Sequence, residues 1–107
     1  MVRKAFVDNI ILPSKKDVLR VHLYLRLIQY GIQPFENDID ILLELYCFGG
    51  YKGKDKQEEF ITRCIDKRFK SSRQSIRNIL SKYTVMGVLD KPKNLSLFMN
   101  NKFIPAV

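Results

Sequence analysis

"KSSRQSIRNILSKYTVMGVL", residues 70–89, is the stretch whose reading decides the fold. Two serines open it, and apolar residues then recur at Ile76, Ile79, Leu80, Tyr83 and Met86. Steps of three and four put these side chains on one face of a helix. Ser71 or Ser72 caps this helix; Ser71 with Gln74 fits a capping box, and Ser72 with Ser75 does not. A helix over 72–86 is therefore expected, stopped by Gly87. Val88 and Leu89 then open a short strand. The opposite face of the helix carries Arg73, Gln74, Arg77, Asn78, Ser81 and Lys82.

On the C-terminal side, "DKPKN" (90–94) reads as a polar turn stiffened by Pro92. "LSLFM" (95–99) is strand-prone, with Leu95, Leu97 and Phe98 available for packing. Together they predict a hairpin over 90–95 with Lys91 and Lys93 at its tip. On the N-terminal side, a helix is expected from Asp55 to Phe69, with Phe60, Ile61, Cys64, Ile65 and Phe69 inward. Glu58 and Glu59 near its start, and Lys67, Arg68 and Lys70 near its end, suit the helix dipole. "GGYKGKD" (49–55) crowds three glycines and reads as a loop, because glycine is costly inside a helix. Before it, "IDILLELYCF" (39–48) predicts a central helix capped by Asn37 or Asp38. Ile39, Leu42, Leu43, Tyr46 and Cys47 are its inward candidates, and only Asp40 and Glu44 are expected to be wet.

Further out, Ser14 with Asp17 opens an accessory helix over 14–31 that ends at Gly31. Val18, Val21, Leu25 and Ile28 are its expected inward stripe, widened by Leu19, Leu23 and Leu27. Residues 1–13 read as an arm or short strand, and 100–107 as a tail. The 107 residues suffice for one domain.

In "SSRQSIRNILSKYTVMGVLDKPKNLSLFMN", the polar helix start at Ser72 to Gln74 is followed by the stripe of Ile76, Leu80 and Tyr83. Then come Gly87, the short apolar strand at Val88 and Leu89, and the basic hairpin from Asp90 to Asn94. This order resembles the recognition helix and wing of winged helix-turn-helix domains in bacterial, plasmid and phage regulators and replication proteins. The resemblance covers residues 37–99. It implies a mainly α fold with a small β-hairpin, a winged helix-turn-helix carrying an additional N-terminal helix and arm. It further implies a regulator or replication accessory protein that places helix 72–86 in the major groove of double-stranded DNA and hairpin 90–95 on the backbone.

The charges point the same way. The net charge is +8, and residues 1–51 balance six basic against six acidic side chains. Residues 52–82 hold ten basic and four acidic ones, so the excess surrounds the quoted helix. Such a cluster attracts phosphate or another acidic surface. Arginine pairs with guanine, and Asn or Gln with adenine, across a major groove. Lys52, Lys54 and Lys56 in the glycine-rich loop, with Lys70, are candidate phosphate contacts. The loop lacks a GxxxxGK[ST] pattern and is not read as a nucleotide site.

Other chemistries have little to stand on. His22 is the single histidine and reads as a partly buried structural residue. Asp38, Asp40 and Glu44 are explained by capping and solvent rather than by a two-metal site. No nucleophile-elbow serine is present, so no enzyme, metal or cofactor is expected. Cys47 and Cys64 read as small buried thiols in a reducing compartment. No apolar run reaches membrane-spanning length, and no signal peptide is expected. The wide apolar helices imply a homo-oligomer or neighbours in a larger assembly. The rival expectation is thus a structural component of a phage particle, such as a connector, adaptor or portal-associated ring protein. The expected location is a bacterial or infected-cell cytoplasm, or on the rival reading a virion.

Overall fold

The computed structural model describes residues 15–70 and 72–104. The arm over 1–13, the Ser14 cap, the Ser71 half of the serine pair and residues 105–107 lie outside them. The element order is α1 (Lys15–Gln29), α2 (Glu36–Phe48), β1 (Tyr51–Lys52), α3 (Lys54–Asp66), α4 (Arg73–Val85), β2 (Leu89–Asp90) and β3 (Ser96–Met99). A 3₁₀ turn, Asn101–Phe103, follows. The chain is mainly helical with one small antiparallel sheet in the order β1-β3-β2.

The first strand corrects the expectation of a plain loop over 49–55. Tyr51 pairs with Leu97 and Lys52 with Ser96. Two residues are too few to show a period of two. Tyr51 is buried and Lys52 exposed, as a half-buried strand requires. On the other edge Leu89 pairs with Met99 and Asp90 with Phe98.

The core forms around α2, which packs against α1, α3 and β3. Ile41, Leu42 and Leu45 are fully buried there. Being enclosed on several sides also buries two carboxylates. Glu44, expected in water, is 3% exposed and takes Lys67 Nζ at 2.8 Å, with Lys16 and Arg63 farther out at 3.7 and 3.9 Å. Asp38 does not cap α2, because Phe35 is the N-cap residue and Asn37 is exposed. Instead Asp38 is buried and accepts a hydrogen bond from Tyr83 Oη at 2.6 Å. Burial first, and then that bond, push the Tyr83 phenol well above its ordinary value. Tyr83→Phe leaves Asp38 without its buried donor and is expected to cost about 1–3 kcal/mol in urea unfolding.

α1 turns the other way round from its expected orientation. Leu19, Leu23 and Leu27 are the buried stripe, while Val21, Leu25 and Ile28 are exposed and Val18 is half-buried. Both stripes are apolar, so periodicity does not choose between them. The tertiary ties do: Arg20 pairs with Asp40, and Lys16 with Glu44, from the same side of the helix. His22, expected to be partly buried, is exposed on this helix.

Helix ends follow one device. At α4, the Val88 N–H donates to Tyr83 O at 2.9 Å and the Gly87 N–H to Thr84 O at 3.1 Å, with Gly87 at φ 84°. This is a Schellman stop. α3 stops the same way without a glycine. Phe69 N–H donates to Cys64 O, Arg68 N–H donates to Ile65 O, and Arg68 sits at φ 61°. The helix therefore ends at Asp66 rather than at Phe69, and Phe69 folds back onto the core. Among the remaining expected core positions, Cys64, Ile76, Ile79 and Leu80 are buried. Met86, Leu95 and Cys47 are exposed instead, and Tyr46 and Phe98 are half-buried. Cys47 lies between Tyr46 and Phe48, which pack against the core, and its own side of the helix faces out.

Candidate nucleic-acid interface

α4 starts at Ser72, whose Oγ accepts from the Ser75 N–H at 3.1 Å. Ser72, one of the two serines expected to cap, is the N-cap residue, without a Glu or Gln at position 75 to complete a capping box. A second serine at the N3 position satisfies the same backbone group as any other residue would, since the bond uses its main-chain nitrogen. α4 packs on α3 and β2 through Ile76, Ile79, Leu80 and Tyr83. That anchoring leaves Gln74, Arg77, Asn78 and Ser81 exposed. The Gln74 amide donates to Asn78 Oδ1 at 2.8 Å, so the two amides stand side by side on the outer face.

Two of the six residues expected on that face are turned to other work. Arg73 is half-buried, pairs with Glu58 and donates to Thr62 Oγ1 at 3.2 Å. Lys82 is half-buried, stands 3.4 Å from Asp38 Oδ2 and lies over the rings of Phe35 and Tyr83. Both hold α4 to the body of the domain. Arg77 occupies a middle position. It is exposed yet reaches Glu58 Oε2 at 3.2 Å. Glu58 thus sits under both arginines, and its hydrogen bond with Arg73 is the main cause that holds its carboxyl below the ordinary range. Sequence reasoning placed Glu58 only as a dipole partner of α3. Its two partners lie 15 and 19 residues away, beyond any helical spacing.

The hairpin stands beside α4. Lys91 and Lys93 are exposed and form no ion pair among the described residues. Leu95 closes the tip at φ 60°, and its carbonyl accepts from the Gly53 N–H at 2.9 Å. This bond ties the hairpin to the link between β1 and α3, so Lys52 and Lys54, on either side of Gly53, are held next to its tip. Lys52 and Lys54 are exposed, Lys56 pairs with Glu59 at 3.2 Å, and Lys70 is half-buried in the turn between α3 and α4. Between α4 and the hairpin lies an open cleft of about 310 Å³. Arg77 and Ser81 line one wall, Lys91 and Leu95 the other, and Tyr51 with Gln57 lies at the β1–α3 side. The Tyr51 hydroxyl accepts from Gln57 Nε2 at 3.4 Å.

The arrangement thus offers one exposed helical face with hydrogen-bonding tips and two flanking sets of lysines. Three or more His, Cys, Asp or Glu side chains do not converge in a metal-holding group among the described residues. No helix there is long and apolar enough to cross a membrane. Comparison with models of protein families, with curated proteins and with solved structures gives no match to this chain.

Proposed function

We propose that this chain is a non-enzymatic nucleic-acid-binding protein of winged helix-turn-helix type, acting on double-stranded DNA as a regulator or replication accessory protein. The order α2, β1, α3, α4, β2, β3 is the order such a domain requires. The observation that carries the reading is the convergence of Arg77 from α4 and Lys91 from the hairpin on one cleft, with Gln74, Asn78 and Ser81 exposed alongside. A helix of 13 residues fits a major groove, and its amides and guanidinium meet base edges there. Lys91, Lys93, Lys52 and Lys54 contact the phosphates and set the register without reading sequence. Arg73 and Lys82 act as positioning residues that fix α4 rather than as base contacts.

The test separates these roles by substitution, with fluorescence anisotropy on selected and random duplexes. Arg77→Ala and Asn78→Ala are expected to relax sequence preference, each costing about 1–3 kcal/mol on the selected duplex. Lys91→Ala is expected to weaken every duplex alike and to lower the salt slope by about one. Equal, small losses from all three substitutions would contradict the proposed division of labour. A second reading, a component of a phage particle that uses this fold for protein assembly, is favoured by the exposed apolar residues of α1. Unaltered assembly with Arg77→Ala, together with no duplex binding by the native chain, would decide for it.

A further inference from the structure

The cleft between α4 and the hairpin offers more than cations. Tyr51, only 6% exposed, lines it together with Gln57, and the two side chains share one hydrogen bond of 3.4 Å. A phenol hydroxyl both donates and accepts, and so does an amide. One shared bond therefore leaves the pair at least one donor and one acceptor, whichever way the amide is turned. No other side chain among the described residues takes these up. Burial raises the Tyr51 phenol above its ordinary value, and the nearby Arg77 charge pulls it partly back. The hydroxyl thus keeps its proton at neutral pH. A buried polar group short of a partner costs free energy, so its place on a cleft wall calls for a ligand group to meet it.

Charge and volume narrow the ligand. Arg77 stands on one wall and Lys91 on the other, both exposed. Arg77 reaches Glu58 with one nitrogen at 3.2 Å, and a guanidinium has further N–H groups to give an anion. A phosphate monoester carries about −1.5 to −2 charges at neutral pH and three strong acceptor oxygens. It matches two cations and one hydroxyl donor better than a carboxylate, which has one charge and two oxygens. Phosphate alone leaves most of the space unfilled. The cleft measures about 310 Å³, at the lower end of sites for small organic molecules, about 300–1,000 Å³. Leu80, Leu95 and Leu97 supply an apolar lining. A flat body with hydrogen-bonding edges suits both that lining and the Tyr51–Gln57 pair, and a nucleobase is built that way.

We propose that this cleft binds one nucleoside monophosphate unit, with the phosphate between Arg77 and Lys91 and an edge of the base on the Tyr51–Gln57 pair. The glycine-rich link contributes the Tyr51 side chain rather than its amides, so the missing GxxxxGK[ST] pattern does not bear on it. Two sources share this chemistry, a free nucleotide and the unpaired end of a DNA strand. A free nucleotide in the cleft takes Arg77 and Lys91 away from a duplex, so the two compete. That competition rests on the nucleic-acid reading, whereas the nucleotide site itself does not.

Titration of the full chain with thymidine 5′-monophosphate, followed by NMR chemical shifts without DNA, tests the site. The expected dissociation constant is below about 1 mM, with thymidine and inorganic phosphate each at least about tenfold weaker. Tyr51→Phe keeps the ring and should weaken the nucleotide about tenfold. Lys91→Ala, at an exposed position, should weaken it by a similar factor and leave thymidine unchanged. Equal binding of nucleotide and inorganic phosphate, or full affinity in both variants, overturns the proposal. A 5′-phosphorylated trinucleotide assigns the source: tighter binding than the mononucleotide points to a strand end, equal binding to the free nucleotide. Anisotropy on a duplex keeps this inference apart from the nucleic-acid reading. Displacement of the duplex by the nucleotide is the expected result. Duplex binding that ignores saturating nucleotide overturns the placement on Arg77 and Lys91. Duplex binding without nucleotide binding overturns the nucleotide site and leaves the nucleic-acid reading standing; nucleotide binding without duplex binding does the reverse.

Discussion

Gly50→Ala should lower the unfolding free energy by about 3 kcal/mol or more, the sum of backbone strain and overpacking. Gly50 has φ 74°, and a methyl group there would stand 2.2 Å from the Phe98 ring and 2.8 Å from the Leu97 carbonyl. The ring can turn, but the carbonyl belongs to β3, which pairs with β1 one residue beyond Gly50. Relief therefore requires pulling the two strands apart at the base of the hairpin. Gly49→Ala is the control. Gly49 has φ 85° but open space around it, so strain alone should cost about 1–2 kcal/mol. Urea unfolding of the two variants measures the difference. Equal losses would mean that β1 does not hold β3 as described.

Glu58→Gln should tighten duplex binding about tenfold at low salt, an effect that shrinks as salt rises. Among the described residues, Glu58 is the one carboxylate that faces both Arg73 and Arg77. Removing its charge releases Arg77 for the phosphates or bases while Gln retains a hydrogen-bond acceptor for Arg73. The same substitution reports on folding through pH. The folded-state pKa of Glu58 is lowered, so its contribution to stability is present above the ordinary carboxylate range. That contribution is lost as pH falls through the lowered value. In Glu58→Gln this acid-side loss should be reduced, which thermal melts over the acidic range would show.

The fold was most legible where local chemistry and tertiary packing agree. α4 carries a capping serine, a periodic stripe and a glycine stop, and the hairpin carries a polar turn between apolar strands. Each signal lies within a few residues. β1 was not legible, since two residues show no periodicity and only the pairing with Leu97 and Ser96 makes them a strand. The end of α3 was missed because Arg68 adopts a left-handed conformation usually given to glycine. On α1 the apolar residues form two stripes, and the choice between them was made by Asp40 and Glu44 on the neighbouring helix.

The candidate site divides along the same line. Exposure of Gln74, Arg77, Asn78 and Ser81 follows from their spacing against the stripe of Ile76, Ile79, Leu80 and Tyr83. The restraint of Arg73 and Lys82 does not, because Glu58 and Asp38 come from other helices. Side chains that are alike in sequence thus separate into a face left open and a pair of struts. Arg77 is the exception that belongs to both.

The most direct test of the nucleic-acid reading is the affinity of the native chain for a random-sequence duplex and a selected duplex, measured across a salt series. Arg77, Lys91, Lys93, Lys52 and Lys54 are the exposed cations around the cleft and hairpin. With the four lysines on phosphates and Arg77 on base edges, log affinity should fall against log salt with a slope of about −4, and a selected duplex should bind more tightly than a random one at every salt. No binding to either duplex at about 50 mM salt would contradict the account, since the electrostatic contribution is strongest there.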